Sequence, residues 1–236
     1  MADAARTMKR FHKAASARAA GHGFEILLDE RPVKTPARNA LLVPSERLAL
    51  EIAAEWDAQG EEIDPRSMPL TGLANAAIDR VAPDPEAFAR SLAFYGESDL
   101  LCYRSENPHG LVARQAALWD PLLAWARRRF DIDFEIVCGI IHRPQQEMTL
   151  KQLGHAVAAR QPFELAGLSP LVTISGSLIV ALALAEGAID FGAAWAAATL
   201  DEAWQAEQWG EDAEAARVLE GRRQEFAAAY RFLSLL

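Results

Sequence analysis

An α+β fold, with a small antiparallel β unit ahead of a mostly helical domain, is what three features of the sequence predict. Short β-rich runs punctuated by proline fill residues 24–44. Apolar residues recur at helical spacing from about residue 70 to the C-terminus. Between the two lies a polar connection, Glu61 to Pro69, that carries Pro65 and Pro69 and reads as a domain boundary. The division expected is residues 1–65, a β-rich unit with one helix, and residues 66–236, mainly helical.

The β unit is read as follows. Phe24-Glu25-Ile26-Leu27-Leu28 is a strand, Asp29-Glu30-Arg31 a turn, and Pro32 to Pro36 and Ala40 to Val43 are further short runs. Pro32, Pro36 and Pro44 lack an N–H, so they belong at strand ends or edges, as in a small meander. Ser45 then caps a helix to about Ala58, with Leu48, Ile52 and Trp56 on one face, and Gly60 closes it.

Beyond Pro69 the spacing predicts helices over about 70–81, 84–95, 110–129, 149–160, 170–185, 191–208 and 211–233. Pro83-Asp84-Pro85, Asn107-Pro108-His109-Gly110, Pro144, Pro162 and Gly210 punctuate them. Strand-like segments are expected at 99–104 and 133–138. From Leu165 to Ala185 the chain carries no charge, a length that invites a membrane test. Ser169-Pro170 reads as an N-cap with proline at the first helical position. A helix from Pro170 to Ala185 is about 24 Å long, short of the ~30 Å hydrocarbon core. Glu164 and Glu186 flank the segment without Lys, Arg or aromatic anchors. A buried central helix is expected, with no membrane insertion.

The formal net charge of -9 argues against nonspecific nucleic-acid binding, which needs cationic surface. It suits a basic protein partner. The basic opening, with Arg6, Lys9, Arg10, Lys13 and Arg18, has no apolar stretch behind it and is not a secretory signal. Cys102 and Cys138 are the only cysteines. Free buried thiols in a reducing compartment are expected.

The sequence holds no phosphate-binding glycine loop, no Gly-x-Ser-x-Gly, no His-Glu-x-x-His and no Cys-x-x-Cys. No two of its histidines stand at helical metal-pair spacing. No cofactor and no metal are expected. Ser175-Gly176-Ser177 is read as a small-residue packing site inside the apolar helix. Glu97 and Asp99 form a close carboxylate pair that could serve acid–base chemistry with a histidine. That leaves a hydrolase-like enzyme as the alternative to a binding protein. With no partner His, Lys or Arg motif beside the pair, a polar loop before a strand is the favoured reading.

Six tryptophans are many for 236 residues. Trp119 and Trp125 suit the core of an amphipathic helix, and Trp56 continues the Leu48/Ile52 stripe. Trp204 and Trp209 stand in a different setting. Residues 200–214 hold six carboxylates (Asp201, Glu202, Glu207, Glu211, Asp212, Glu214) and no Lys or Arg. Large aromatics beside charge of one sign suit a binding surface for a basic partner. An amphipathic helix with a solvated acidic face gives the same pattern.

Together, several runs resemble the assembly-chaperone family of the F-type ATP synthase alpha subunit, found in mitochondria and alpha-proteobacteria. They are Lys9-Arg10-Phe11, Phe24 to Pro36, Ala54-Glu55-Trp56-Asp57-Ala58-Gln59 and Met68-Pro69-Leu70-Thr71. Further on come Glu97-Ser98-Asp99-Leu100-Leu101-Cys102-Tyr103-Arg104, Trp119-Asp120-Pro121-Leu122 and Glu207-Gln208-Trp209-Gly210. The resemblance runs from about residue 9 to 215, carried by order and spacing. The chain departs from the family at His12, where an aromatic is usual, and at Glu30, where the hairpin turn usually has glycine, which makes a primed turn costlier.

The resemblance implies a non-enzymatic chaperone, a monomer, that binds the free alpha subunit and shields its subunit interface. The compartment implied is the bacterial cytoplasm, or the mitochondrial matrix in a eukaryote. Glu202, Trp204, Glu207 and Trp209 are the first candidates for partner contact. Glu55, Trp56 and Asp57 come next, then Glu97 and Asp99.

Overall fold

The computed structural model describes residues 8–139, 141–210 and 212–236. Arg6 of the basic opening and Glu211 of the acidic run lie outside the described residues. The chain is α+β as expected, a small antiparallel sheet followed by a helical region.

The sheet is built around a strand that the sequence foretells. In chain order come β1 (Met8–Lys9), β2 (Ala15–Ala20), β3 (Gly23–Leu28), β4 (Arg31–Pro32) and β5 (Leu42–Val43). β3 pairs antiparallel along its whole length with β2, from Ala15↔Leu28 to Ala20↔Gly23. β4 and β5 take its other edge, at Leu28↔Arg31 and Phe24↔Val43. β2 is absent from the sequence reading because Ala-Ser-Ala-Arg-Ala-Ala has little strand propensity. Pairing with β3 imposes the conformation. It places Ala15 and Ala17 against the core and lets Arg18 reach Glu25 at 2.8 Å.

The hairpin turn forms without glycine. Asp29 and Glu30 both adopt positive φ, 46° and 70°, as a primed two-residue turn requires. The Asp29 carboxylate accepts from the backbone N–H groups of Lys13 (2.9 Å) and Ala14 (3.1 Å). Those bonds lower its pKa and tie the strained turn to the start of β2.

Helix α1 (Glu46–Asp57) begins where Ser45 Oγ accepts from Leu48 N at 3.1 Å. It lays Leu48 and Ile52 into a small core with Ile26, Leu41 and Val43. The connection read as merely polar contains β6 (Glu62–Ile63), which pairs with β1, and a 3-10 turn at Pro65–Ser67.

The helical region runs α2 (Pro69–Ala76, continued by a π turn at Ala77–Val81) and α3 (Pro85–Ala93). Then come β7 (Tyr103–Arg104), α4 (His109–Phe130), β8 (Val137–Cys138) and α5 (Glu147–Ala158). The last five helices are α6 (Pro162–Ser175), α7 (Leu178–Ala185), α8 (Phe191–Ala198), α9 (Leu200–Trp209) and α10 (Ala213–Ser234). β7 and β8 form a short parallel pair. Of the expected strand at 99–104, residues Leu100–Cys102 wind into a 3-10 turn instead.

Two expected helices prove to be pairs. The helix placed at 170–185 is broken at Gly176, whose left-handed φ of 65° ends α6. Ser177 then caps α7, accepting from Val180 N at 3.0 Å. Ser169-Pro170 lies inside α6. The start is at Gln161, with Glu164 Oε2 accepting from Gln161 N at 2.8 Å as a capping box. The helix placed at 191–208 divides at Thr199, whose Oγ donates back to Trp195 O at 2.8 Å.

The main core gathers Trp119, Leu123, Leu153, Leu165, Leu168, Leu171, Phe226 and all of Leu178–Leu184. α7 is thus buried on every side, and no helix among the described residues is long and apolar enough to cross a membrane. Cys102 is buried in this core, and burial pushes its thiol up to about 12. Cys138, expected to be buried, is exposed, because only two residues of its segment join a strand.

The C-terminal end of α10 returns to the small core. Phe232 and Leu235 pack there with Leu48, Ile52, Leu70 and Ala74, and Phe232 stacks on Phe163 of α6 at 6.2 Å. Phe163 also packs against the main core. A Phe232→Ala variant should therefore lose about 3–5 kcal/mol of stability, read by urea unfolding. A loss under about 1 kcal/mol, as for a surface site, would show that this ring does not join the two cores.

Candidate partner-binding surface

Helix α9 lies across α4, and a missing side chain sets the closeness of the approach. Gly110 stands at the start of α4, where a Cβ would fall 2.6 Å from Cη2 of Trp204. The Trp204 indole fills that space and packs against the main core, half-buried. One turn along α4, the Arg114 guanidinium lies over the Trp204 ring, 4.8 Å from its centroid, and pairs with Glu207 at 2.7 Å. The pairing holds Glu207 below the usual carboxylate range and raises Arg114. Deeper in, the buried Gln115 bridges Ser105 N and Asp201 Oδ1, at 2.8 and 2.9 Å.

Outward from this seam the surface is acidic with one aromatic. Trp209, at the end of α9, is 79% exposed. Glu202 is exposed and meets Arg222 at 3.4 Å, while Arg222 also donates to Ile174 O. Asp212 caps α10 by accepting from Glu214 N and Ala215 N, which lowers its pKa. Glu202, Trp204, Glu207 and Trp209 thus share one helix. Trp204 is its anchor to the fold, and Trp209 projects from it.

The second group is occupied inside the fold. Glu55 reaches from α1 to the start of α2, accepting from Leu70 N (2.7 Å), Thr71 N (2.8 Å) and Thr71 Oγ (2.7 Å). Burial raises its pKa against those bonds. Asp57 accepts from Ala15 N at 2.7 Å and so fastens β2 to α1. Trp56 is half-buried. Its carbonyl accepts from His12 Nε2 at 3.1 Å, and the two rings meet edge-on at 5.7 Å. His12 Nδ1 and Trp56 Nε1 are enclosed with no hydrogen-bond partner among the described residues. The two residues line a cavity of about 520 Å³ with Phe11, Leu28, Val33 and Lys34.

The third pair is separated by the backbone. Glu97 lies near the surface, 3.4 Å from His142 Nε2, while Tyr103 OH meets His142 Nδ1 at 2.8 Å. Asp99 is fully buried. Its oxygens accept from Ser177 Oγ (2.7 Å), Ile179 N (3.0 Å) and Leu101 N (3.0 Å). The two carboxylates therefore share no reacting position. Among the described residues no group of His, Cys, Asp and Glu is arranged to hold a metal ion. Arg114 and Gly110 were not foreseen. They stand about ninety positions from α9 in the sequence, and nothing local marks them.

Residues 9–127 match the family described as ATP12 chaperone protein. The chain is 26% identical over 216 residues to the mitochondrial protein atp12 of Schizosaccharomyces pombe, covering 86% of this chain and 74% of that protein. It superposes on the crystal structure of Atp12 from Paracoccus denitrificans with a TM-score of 0.92 at 44% identity, covering 96% of this chain and 97% of that one. Against the Atu1473 protein of Agrobacterium tumefaciens the TM-score is 0.93 at 41% identity, covering 97% and 86%.

Asp99 gives this region a distinct pH signature. Burial raises its carboxyl to about 6 from 3.8, outweighing the hydrogen bonds that favour the anion. Between those values the folded chain holds a proton that the unfolded chain has released. Its stabilising contribution is therefore complete below about pH 4 and is lost as pH rises through about 6, by at most roughly 3 kcal/mol. The stability gap between the unmodified protein and Asp99→Asn should be larger at pH 4.5 than at pH 7.5 in urea titrations. An equal gap at both values would contradict the assignment.

Proposed function

This chain belongs to the ATP12 chaperone family, and on that premise we propose that it is a non-catalytic assembly factor for the F-type ATP synthase. Its client is the free alpha subunit of the catalytic head, whose subunit interface it covers until the hexamer forms. An orphan subunit of an obligate complex exposes a large apolar interface and is prone to aggregate. A chaperone for it needs a surface that binds, and no reacting centre.

The observation that carries this reading is the α9 surface. An indole 79% exposed stands at the end of a helix whose charged residues are all carboxylates. Exposed tryptophan supplies affinity by entering an apolar hollow, and carboxylates around it steer a basic partner. Glu202, Glu207 and Trp209 are the contact residues of the proposal, with Trp204 as the support beneath them. Glu55, Trp56 and Asp57 act through the fold of the β unit, and Asp99 through the core. The division at residues 65 and 66 belongs to the same proposal, with the helical part presenting the client surface. The protein would act as a monomer, in the bacterial cytoplasm or, for a eukaryotic chain, the mitochondrial matrix.

Light scattering of purified alpha subunit tests this directly. Near-equimolar protein should suppress aggregation and give a one-to-one complex on gel filtration. Trp209→Ala should keep the melting temperature and weaken the complex by about thirtyfold, the effect of a 2 kcal/mol hot spot. Absence of both suppression and complex would remove the chaperone reading. Unchanged affinity in the variant would remove Trp209 from the contact.

A further inference from the structure

Residues 200–214 contain no Lys or Arg, yet a guanidinium already sits on α9. It arrives from α4. Arg114 makes two contacts at once, over the Trp204 ring at 4.8 Å from its centroid and through Nη1 to Glu207 at 2.7 Å. A planar, delocalised cation suits both, because it stacks on an indole while its edge donates to a carboxylate. An ammonium is a compact point charge and cannot do both as well.

The two sides of this contact are held very differently. Trp204 is wedged against Gly110 and the main core. Arg114 and Glu207 have side chains 48% and 49% exposed, and a pair so open to water is weakly held. The indole is built into the fold, and the guanidinium that lies over it is replaceable.

We propose that Trp204 and Glu207 form a guanidinium subsite of the partner surface, with Arg114 as its internal placeholder. The occupant it awaits is an arginine on a protein partner. The inference rests on the reading of α9 as the client surface. An incoming arginine takes over both contacts, and Arg114 swings out to water. Exchange of one guanidinium for another conserves the interactions, so displacement costs little. Before the partner arrives, Arg114 keeps the carboxylate and the indole face from recruiting stray cationic segments, a repulsive element of the kind that sharpens specificity.

The alternative is a plain surface pair that ties α4 to α9. The two differ in sign. If Arg114 competes with the partner, Arg114→Ala should bind alpha subunit more tightly, by about fivefold for a competing contact near 1 kcal/mol. Adding Glu207→Gln to it should bring affinity below that of the unmodified protein. In parallel, acetyl-Leu-Arg-Leu-amide and its lysine counterpart are titrated while the Trp204 indole N–H resonance is followed by NMR. The arginine peptide should move that resonance at lower concentration in Arg114→Ala than in the unmodified protein, and the lysine peptide less in both.

Should the unmodified protein bind alpha subunit while Arg114→Ala binds equally or more weakly and the peptide leaves Trp204 unmoved, the placeholder is refuted and the chaperone reading stands. Should alpha subunit fail to bind while the arginine peptide still moves Trp204 in Arg114→Ala, the subsite stands and the client assignment falls.

Discussion

A buried carboxylate organises the helical region. Asp99 has no exposure to solvent, and its two oxygens are shared among Ser177 Oγ, Ile179 N and Leu101 N. Two of those donors lie at the start of α7, where unpaired N–H groups and the positive end of the helix dipole favour an anion. The third lies in the 3-10 turn that leads into β7. One side chain therefore fixes where α7 starts and how the preceding segment lies against it. α7 is apolar on every face, which only a central position can satisfy. Pinning its N-terminus sets the core against which α4, α6, α8 and α10 pack.

Carboxylates act in the same way in the β unit, one level out. Glu55 serves the start of α2 as Asp99 serves α7, with three donors on two oxygens. Asp57 and Asp29 hold the backbone of β2 and the loop before it. α10 then closes the molecule: its middle lies in the main core at Phe226, and its end lies in the small core at Phe232 and Leu235. A chain this acidic spends many of its carboxylates on backbone N–H groups. Those left over at the surface of α9 are conspicuous by comparison.

The sequence was legible where a residue's role is local. Ser45 as a cap, the Leu48/Ile52 stripe, the strand at Phe24–Leu28 and the helix starts at Pro85 and Pro108 were placed correctly, because propensity and period act over a few residues; Pro170, read as a helix start, lies inside α6. β2 was missed since alanines gain strand conformation only from a neighbour. The break at Gly176 was missed because a glycine between two serines in an apolar run is consistent with either packing or a stop, and only the left-handed φ decides. Asp99 read as a surface carboxylate because two of the three donors that justify its burial, Ser177 Oγ and Ile179 N, lie some eighty positions away. Of the candidate surface, α9 and its charge were visible. The sorting of Trp204 inward and Trp209 outward was not, since it depends on the space above Gly110.

That sorting bears on what α9 is suited to do. Two indoles five residues apart share a helix and an acidic setting, yet one is fixed by the core and the other meets water. The fixed one gives α9 a defined place against α4, so the exposed one leaves the helix at a set position on the surface. Two of the carboxylates on α9, Glu207 and Glu202, are engaged through solvent-exposed pairs, to Arg114 and Arg222. Such pairs exchange partners at small cost. On the proposed reading of α9, an exposed aromatic with interchangeable charges around it suits selective contact that can still be released. Buried ion pairs would bind a client more permanently, because breaking them strands a charge in the interior. Reversible contacts are what a temporary partner requires when a more extensive subunit interface is waiting to replace it.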